Sequence, residues 1–484
     1  MLGDISHCEA IHRLKPPTQR SLDKVILMSR APSLIFAVSV VLAAWTAATQ
    51  PAGMTTEQAM TFGVILVTLA IWGTGVVPGY VGSMFLFTAL ILADLAAPQV
   101  VFSSFASTAI WLVVAGYVIG AAITQSGLGA RLGALAQPHL SKSYPTLIIG
   151  LMIFGMLLGF VMPSSLGRAA VLVPIGIALA NALGLGKGTS GRTGVAVIIA
   201  IGTNMPSFAI LPSNIPNIIL SGVAEQSLGV HFSYADYLLL HYPVLGILKS
   251  AVIVGLVLYF FPGQVQSVDT PTELTSKKGE RQLALVVILL LTLGLWATDQ
   301  LHGINAAWVG LGASLVLMVP QLGFVPPPVF KSSVDFSMLL FVAGALTLGT
   351  VTASSGLGDI IATRAFDVLR LQAGQDFTNF VSLSALGAGT SIFTTAPGAS
   401  AVLTPLANDL VSSTGFTLNA VLMTQVIGFS TVIFPYQVGP LIVAMGLAGE
   451  NTRHLLKVTV VLSIITLLFL VPVDFLWWKL LGVI

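Results

Sequence analysis

A few polar side chains interrupt long apolar runs, and their types point to ion binding. In residues 159–174, GFVMPSSLGRAAVLVP, Ser164, Ser165 and Arg168 break a hydrophobic stretch next to Pro163. Thr394 and Thr395 break residues 378–411 in the same way, while Ser213, Asn214, Pro216 and Asn217 mark one further break and Gln437, Gly439 and Pro440 another. A guanidinium presents a planar fork that suits a carboxylate, sulfate or sulfonate. Helices that start at such breaks offer free N–H groups to anions. Hydroxyls and unwound carbonyls are the hard oxygens that a cation such as sodium takes. The residues expected to contact a small anion are therefore Ser164, Ser165, Arg168, Thr394, Thr395, Pro216, Asn217 and Gln437. Those expected to hold a companion sodium ion are Ser164, Ser213, Asn214, Thr395 and Gly439.

Each of these groups also has a plainer reading. A hydroxyl in a helix often serves its own backbone. Arg168 either snorkels to the cytosolic interface, clamps an oxyanion, or stands as a permanent positive charge where a carrier would otherwise bind a cation. Gln437 either donates to a substrate oxygen or caps unwound backbone. Lys249, just past Pro243, reads as snorkelling outward, Asp409 as interfacial, and Trp477 and Trp478 as interfacial anchors. No convincing mid-membrane carboxylate stands out. Enzymatic chemistry is not expected. His7, His12, His139, His231, His241, His302 and His454 show no paired metal-ligand spacing, and there is no GxSxG elbow or phosphate-binding loop. A single cysteine, Cys8, rules out an internal disulfide. No cofactor is expected beyond the sodium ion.

The frame that must position these residues is a membrane. The 484 residues are 55% hydrophobic and 8% charged, with a mean hydropathy of +0.95, so the fold class is an all-α polytopic membrane protein. There is no basic run that would suggest nucleic acid. Apolar runs predict 11 crossings, near 33–49, 58–78, 80–97, 106–125, 194–221, 238–262, 283–299, 305–320, 335–354, 418–447 and 455–478. Stretches 146–182 and 378–411 are broken midway, with flanks that look too short to cross, and are expected to be re-entrant hairpins. Backbone at such tips is tolerated only where it lines a polar cavity. The first run lacks a cleavage site and reads as an uncleaved span. With the N-terminus in the cytosol and the C-terminus outside, Arg131, Lys142, Lys187, Arg192, Lys277, Lys278, Arg281, Lys331, Arg453 and Lys457 join Arg13, Lys15, Arg20, Lys24 and Arg30 on the cytosolic side. That is 15 of the 20 basic residues, as the positive-inside rule expects.

The halves repeat. WLVVAGYVIGAAITQSGLG at 111–129 is echoed by LFVAGALTLGTVTASSGLG at 340–358, Ser164 before Pro174 by Thr395 before Pro405, and the break at 212–217 by that at 435–440. The offsets are all about 223 to 231 residues, and an odd number of crossings per unit makes the copies inverted. Matching interrupted segments are the best sequence pointer to a transporter's binding site. The domains are an arm (1–32), a first span with its outer loop (33–57), repeat 1 (58–262; hairpin 146–182, broken helix 194–221), a linker (263–282) and repeat 2 (283–484; hairpin 378–411, broken helix 418–447).

FASTAIWLVVAGYVIGAAITQSGLG at 105–129, the two hairpins, and SNIPN at 213–217 resemble the divalent anion:sodium symporter family of di- and tricarboxylate and sulfate carriers, across about residues 58–460. The resemblance implies two inverted five-helix repeats after an extra helix, and a homodimer in a bacterial inner membrane whose transport domains move like elevators against fixed scaffolds. The family's tips read Ser-Asn-Thr and help bind sodium and substrate. Here they read Ser164-Ser165-Leu166 and Thr395-Ala396-Pro397, and Tyr436-Gln437-Val438-Gly439-Pro440 replaces a loop ending in asparagine. The expectation is a secondary anion transporter coupled to sodium, coupled to protons, or working by exchange. The alternative is a cation/proton antiporter or a metalloid-anion efflux permease of the same architecture.

Overall fold

The computed structural model describes residues 19–129, 131, 135, 138, 140–265, 279–358, 360 and 371–484, with side chains from residue 32 and, after the linker, from residue 281. His7, Cys8, His12, Arg13, Lys15, His139, Lys277 and Lys278 lie outside the described residues. Every regular element among the described residues is helical.

Helix α1 (Gln19–Thr49) precedes repeat 1, which consists of α2 (Thr56–Thr74), α3 (Gly79–Leu92), α4 (Thr108–Ser126), α5 (Tyr144–Val161), α6 (Ser165–Ala182), α7 (Ser190–Gly202), α8 (Ile215–Leu228) and α9 (Tyr234–Phe260). Repeat 2 follows in the same order as α10 (Gly279–Ala297), α11 (Ala306–Met318), α12 (Phe336–Ser354), α13 (Asp376–Thr394), α14 (Ala396–Thr414), α15 (Leu418–Ser430), α16 (Gly439–Ala448) and α17 (Arg453–Leu480). Helices α9 and α17 each contain a π-turn, at Tyr242–Leu248 and Thr466–Leu470.

Two expectations need correcting. The arms of the first hairpin are 18-residue helices, about 27 Å long at 1.5 Å per residue, so each is long and apolar enough to cross a membrane. Among the described residues eight helices meet that test, or nine if the bent pair α14–α15 counts as one span. The breaks are also longer than the proline positions suggested. The first runs through Thr203–Asn214 and the second through Thr431–Val438, starting well before Pro212 and Pro435. Proline without an N–H cannot continue the helical ladder, and Pro206 and Pro212 in the first segment and Pro435 in the second keep the chain from closing it.

Contacts come in exchanged pairs. Helix α4 packs on α11 and α12 on α3; α6 packs on α16 and α14 on α8; α5 lies on α7 and α13 on α15. Such reciprocity is the mark of a two-fold relation between the repeats. The buried side chains form two clusters. One draws mainly on α2, α3, α4 and α12, and the other on the hairpin of repeat 1, both broken helices, α9, α13 and α17.

Candidate functional site

Pro163 sets the first tip. Met162, the residue before it, is extended (φ −125°, ψ 95°), as a pre-proline residue must be, and Ser164 Oγ accepts the Gly167 N–H at 3.1 Å to cap α6. The second tip turns through Thr395 at φ 83°, ψ 164°, a region that is essentially glycine's alone. Pro397 then sits in the first turn of α14, where its missing N–H costs nothing.

The two tips and the two breaks meet at a cavity of about 360 Å³. The first repeat supplies Ser164, Ser165, Asn214 and Pro216; the second supplies Thr395, Gln437 and Gly439. The starts of α6, α8, α14 and α16 therefore all border it, and four positive helix ends favour an anion. Trp72, Tyr80, Tyr117 and Phe341 from α2, α3, α4 and α12 close the opposite wall, and Asp335 stands there as the cap of α12. Sequence reasoning missed these five. The aromatic residues carry no spacing signal within apolar helices, and only Asp335, ahead of a hydrophobic run, was recognisable as an N-cap.

Four expected contacts do not border the cavity. Thr394 Oγ1 donates to Thr390 O at 2.8 Å and to Thr395 O at 3.2 Å. Asn217 Nδ2 donates to the carbonyls of Ser207, Phe208 and Ile210 and so holds the first break together. Ser213 Oγ donates to Gly159 O at 2.6 Å. Arg168 is 0% exposed, which removes the snorkelling reading, and it lies behind the tip, not in the cavity. Its Nε donates to Thr203 O at 2.8 Å, its Nη1 to Met162 O and to Ser213 Oγ (2.9 Å), and its Nη2 to Ser165 Oγ at 2.8 Å. Both terminal nitrogens also reach Ser213 O at 3.2 Å. Gln437 borders the cavity, but its polar atoms are engaged: Oε1 accepts the N–H groups of Ile433 and Phe434, and Nε2 donates to Ser391 Oγ.

The oxygens around Arg168 are three carbonyls and two hydroxyls from the tip and the break, the ligand set of a hard cation. With the guanidinium among them, sodium does not fit there by volume or by charge. At the second break the carbonyls of Ser430, Val432 and Ile433 accept from Lys249, Ser463 and Thr459. Among the described residues no group of three or more His, Cys, Asp or Glu is placed to hold a metal ion.

A two-repeat helical membrane protein with paired hairpins and breaks around a small cavity is the build of a secondary transporter. The chain belongs to the family described as sodium:sulfate symporter transmembrane region, which matches residues 29–484, in agreement with the resemblance carried by residues 105–129, the two hairpins and residues 213–217. It is thus an integral membrane transporter and not an enzyme. It is 24% identical to dicarboxylate transporter 2 of the spinach (Spinacia oleracea) chloroplast, over 93% of this chain and 82% of that one. It is 23% identical to an L-tartrate/succinate antiporter of Shigella dysenteriae, over 78% of this chain and 79% of that one. Among solved structures the YdaH transporter of Alcanivorax borkumensis shares the fold, with a TM-score of 0.57 at 15% identity over 88% of this chain and 98% of that one.

Proposed function

We propose that the chain exchanges small anions, di- or tricarboxylates, sulfate or organic sulfonates, across a bacterial inner membrane, with Arg168 as a built-in cation at the first tip. The observation that carries this is the all-oxygen cage around a fully buried guanidinium. A charge that never dissociates has a consequence for the cycle. The empty carrier keeps a buried positive charge, which is costly in a low-dielectric interior, whereas in the loaded carrier the anion's own charge offsets it. Return is then favoured only with an anion aboard, which is exchange. The relatedness to an antiporter supports the reading, and the place left for the family's sodium is the second tip, where Thr395 and Gly439 border the cavity. Ser164, Ser165, Thr395 and the four helix starts make the direct contacts. The scaffold of α2, α3, α4 and α12 stays fixed in a homodimer while the hairpins and breaks move as an elevator, with the N-terminus cytosolic and the C-terminus outside.

The test is exchange in proteoliposomes. Uptake of labelled succinate or sulfate should require internal anion and proceed without sodium. In Arg168→Asn, which vacates the cage but keeps a polar side chain, uptake should fall by about tenfold or more, the worth of one charge-assisted interaction, and should recover partly with sodium. Undiminished sodium-free uptake by this variant would remove the arginine from the mechanism.

A further inference from the structure

Lys249 and Asp474 occupy matching places in the two repeats, each just beyond the π-turn of α9 or α17. Contrary to the outward-snorkelling expectation, Lys249 is 1% exposed, and Asp474 is 0% exposed. The Lys249 ammonium donates to Ser430 O at 2.7 Å. Ser430 is the last residue of α15, where the second break begins. A cation there caps the negative end of a half-helix, just as Arg168 does at Thr203 O after α7. The two breaks are thus met by two buried cations from different helices.

They differ in what balances them. Among the described residues Arg168 has no charged partner, whereas Lys249 lies within electrostatic reach of Asp474 on α17, the helix packed against α9. Neither oxygen of the Asp474 carboxylate has a hydrogen bond of ordinary geometry among the described residues, and neither does the Trp478 indole N–H one turn on. Tyr237 and His241 on α9 pack edge-on, His241 also against Trp478 and with Nε2 at Met423 Sδ. The other ionisable groups on the packed helices are engaged elsewhere or lie at the helix ends: Tyr144 bonds Gly191 and Phe261 carbonyls, Arg192 pairs with Glu450, Lys479 with Asp376, Asp236 accepts from Gln300, Tyr242 packs on Phe160 and Tyr234 on Trp296, Tyr259 sits at the end of α9, and His454 and Lys457 sit at the start of α17. Met205–Ala209, also in contact with α9, holds no ionisable side chain.

We propose that Asp474 is the carrier's proton site: it takes up one proton on its carboxylate and releases it again, and so sets the charge that Lys249 presents to the second break. With Asp474 ionised the pair is neutral, and Arg168, behind the first tip, is left to balance the anion. With Asp474 protonated, Lys249 adds a second uncompensated positive charge, and the site matches a dianion. This deepens the anion-exchange reading and rests on it for its coupling step, but not for the protonation itself.

Two measurements separate these. Infrared difference spectra of the purified protein, without any anion, between about pH 5 and about pH 9, should show a protonated-carboxyl band that Asp474→Asn removes; no band sensitive to that substitution overturns the proton site. In proteoliposomes sulfate is the probe, because it stays doubly charged over this range. Its exchange should rise about tenfold from alkaline to acid pH in the wild type, a change worth one pKa unit of differential interaction. It should vary less than about twofold in Asp474→Asn and in Lys249→Gln, the second variant guarding against misfolding of the first. A wild-type pH profile in both variants overturns the coupling. A wild-type protein that shows the band yet moves neither sulfate nor succinate retains the proton site and refutes the anion-exchange reading instead.

Discussion

Thr395 is a β-branched residue held where glycine belongs, and its side chain borders the cavity. Such a conformation costs about 1–3 kcal/mol, and the tip keeps it because the hydroxyl is placed by it. Thr395→Gly should therefore raise the thermal midpoint of the purified protein while lowering anion exchange by about tenfold, the worth of a hydrogen bond to a charged group. A variant that is stabilised and transports normally would show that the hydroxyl touches no substrate. The sequence identified this residue, and Ser164 and Ser165, because a polar pair at a break in an apolar run is rare. What it left open was direction. Arg168 lies three residues past Ser165, on the same side of α6, and its long side chain reaches back behind the tip to Thr203 and Ser213 instead of into the cavity. Lys249 was misjudged for a related reason, since distance along the chain from Pro243 says nothing about which face of α9 is buried. Asp474 was overlooked between Val473 and Phe475 near the chain's end, and Trp478, taken for an interfacial anchor, is fully buried against Phe380 and His241.

At the scale of elements, each hairpin is seated on its broken helix by glycines. A Cβ on Gly155 of α5 would lie 2.7 Å from Gly202 O on α7, and one on Gly387 of α13 would lie 2.9 Å from the Gly428 Cα on α15. These are repeat-related approaches of backbone to backbone, with no flexible side chain to give way. Gly155→Ala and Gly387→Ala should each destabilise by about 1–3 kcal/mol, the usual cost of overpacking, read as a lower melting temperature. Equal melting for either variant and the wild type would mean the arms can separate freely. The hairpins themselves were legible from their interruptions. The glycine contacts were not, because glycine is frequent throughout the chain, with 48 in all, and only the folded partner distinguishes a contact from a spacer.

For the whole molecule the question is whether the two clusters of buried side chains move against each other. The Gly116 Cα of α4 and the first tip meet so closely that a Cβ on Gly116 would lie 2.9 Å from Pro163 Cβ, near the 3.5–4.5 Å that a disulfide spans. In a Cys8→Ser background, Gly116→Cys with Pro163→Cys should crosslink on oxidation, arrest exchange and release it on reduction; full exchange by the crosslinked protein would rule out sliding of the tip past α4. The chain's double nature was legible in its paired breaks, while the reciprocal contacts between halves needed coordinates. The π-turns of α9 and α17 add a last consequence. A π-turn carries an extra residue within the helical ladder, and one is present in each repeat. That residue makes each helix a dial, since losing one residue there would turn everything beyond it by about 100°. Such a deletion in α9 would face Lys249 away from Ser430 and leave Asp474 where it is.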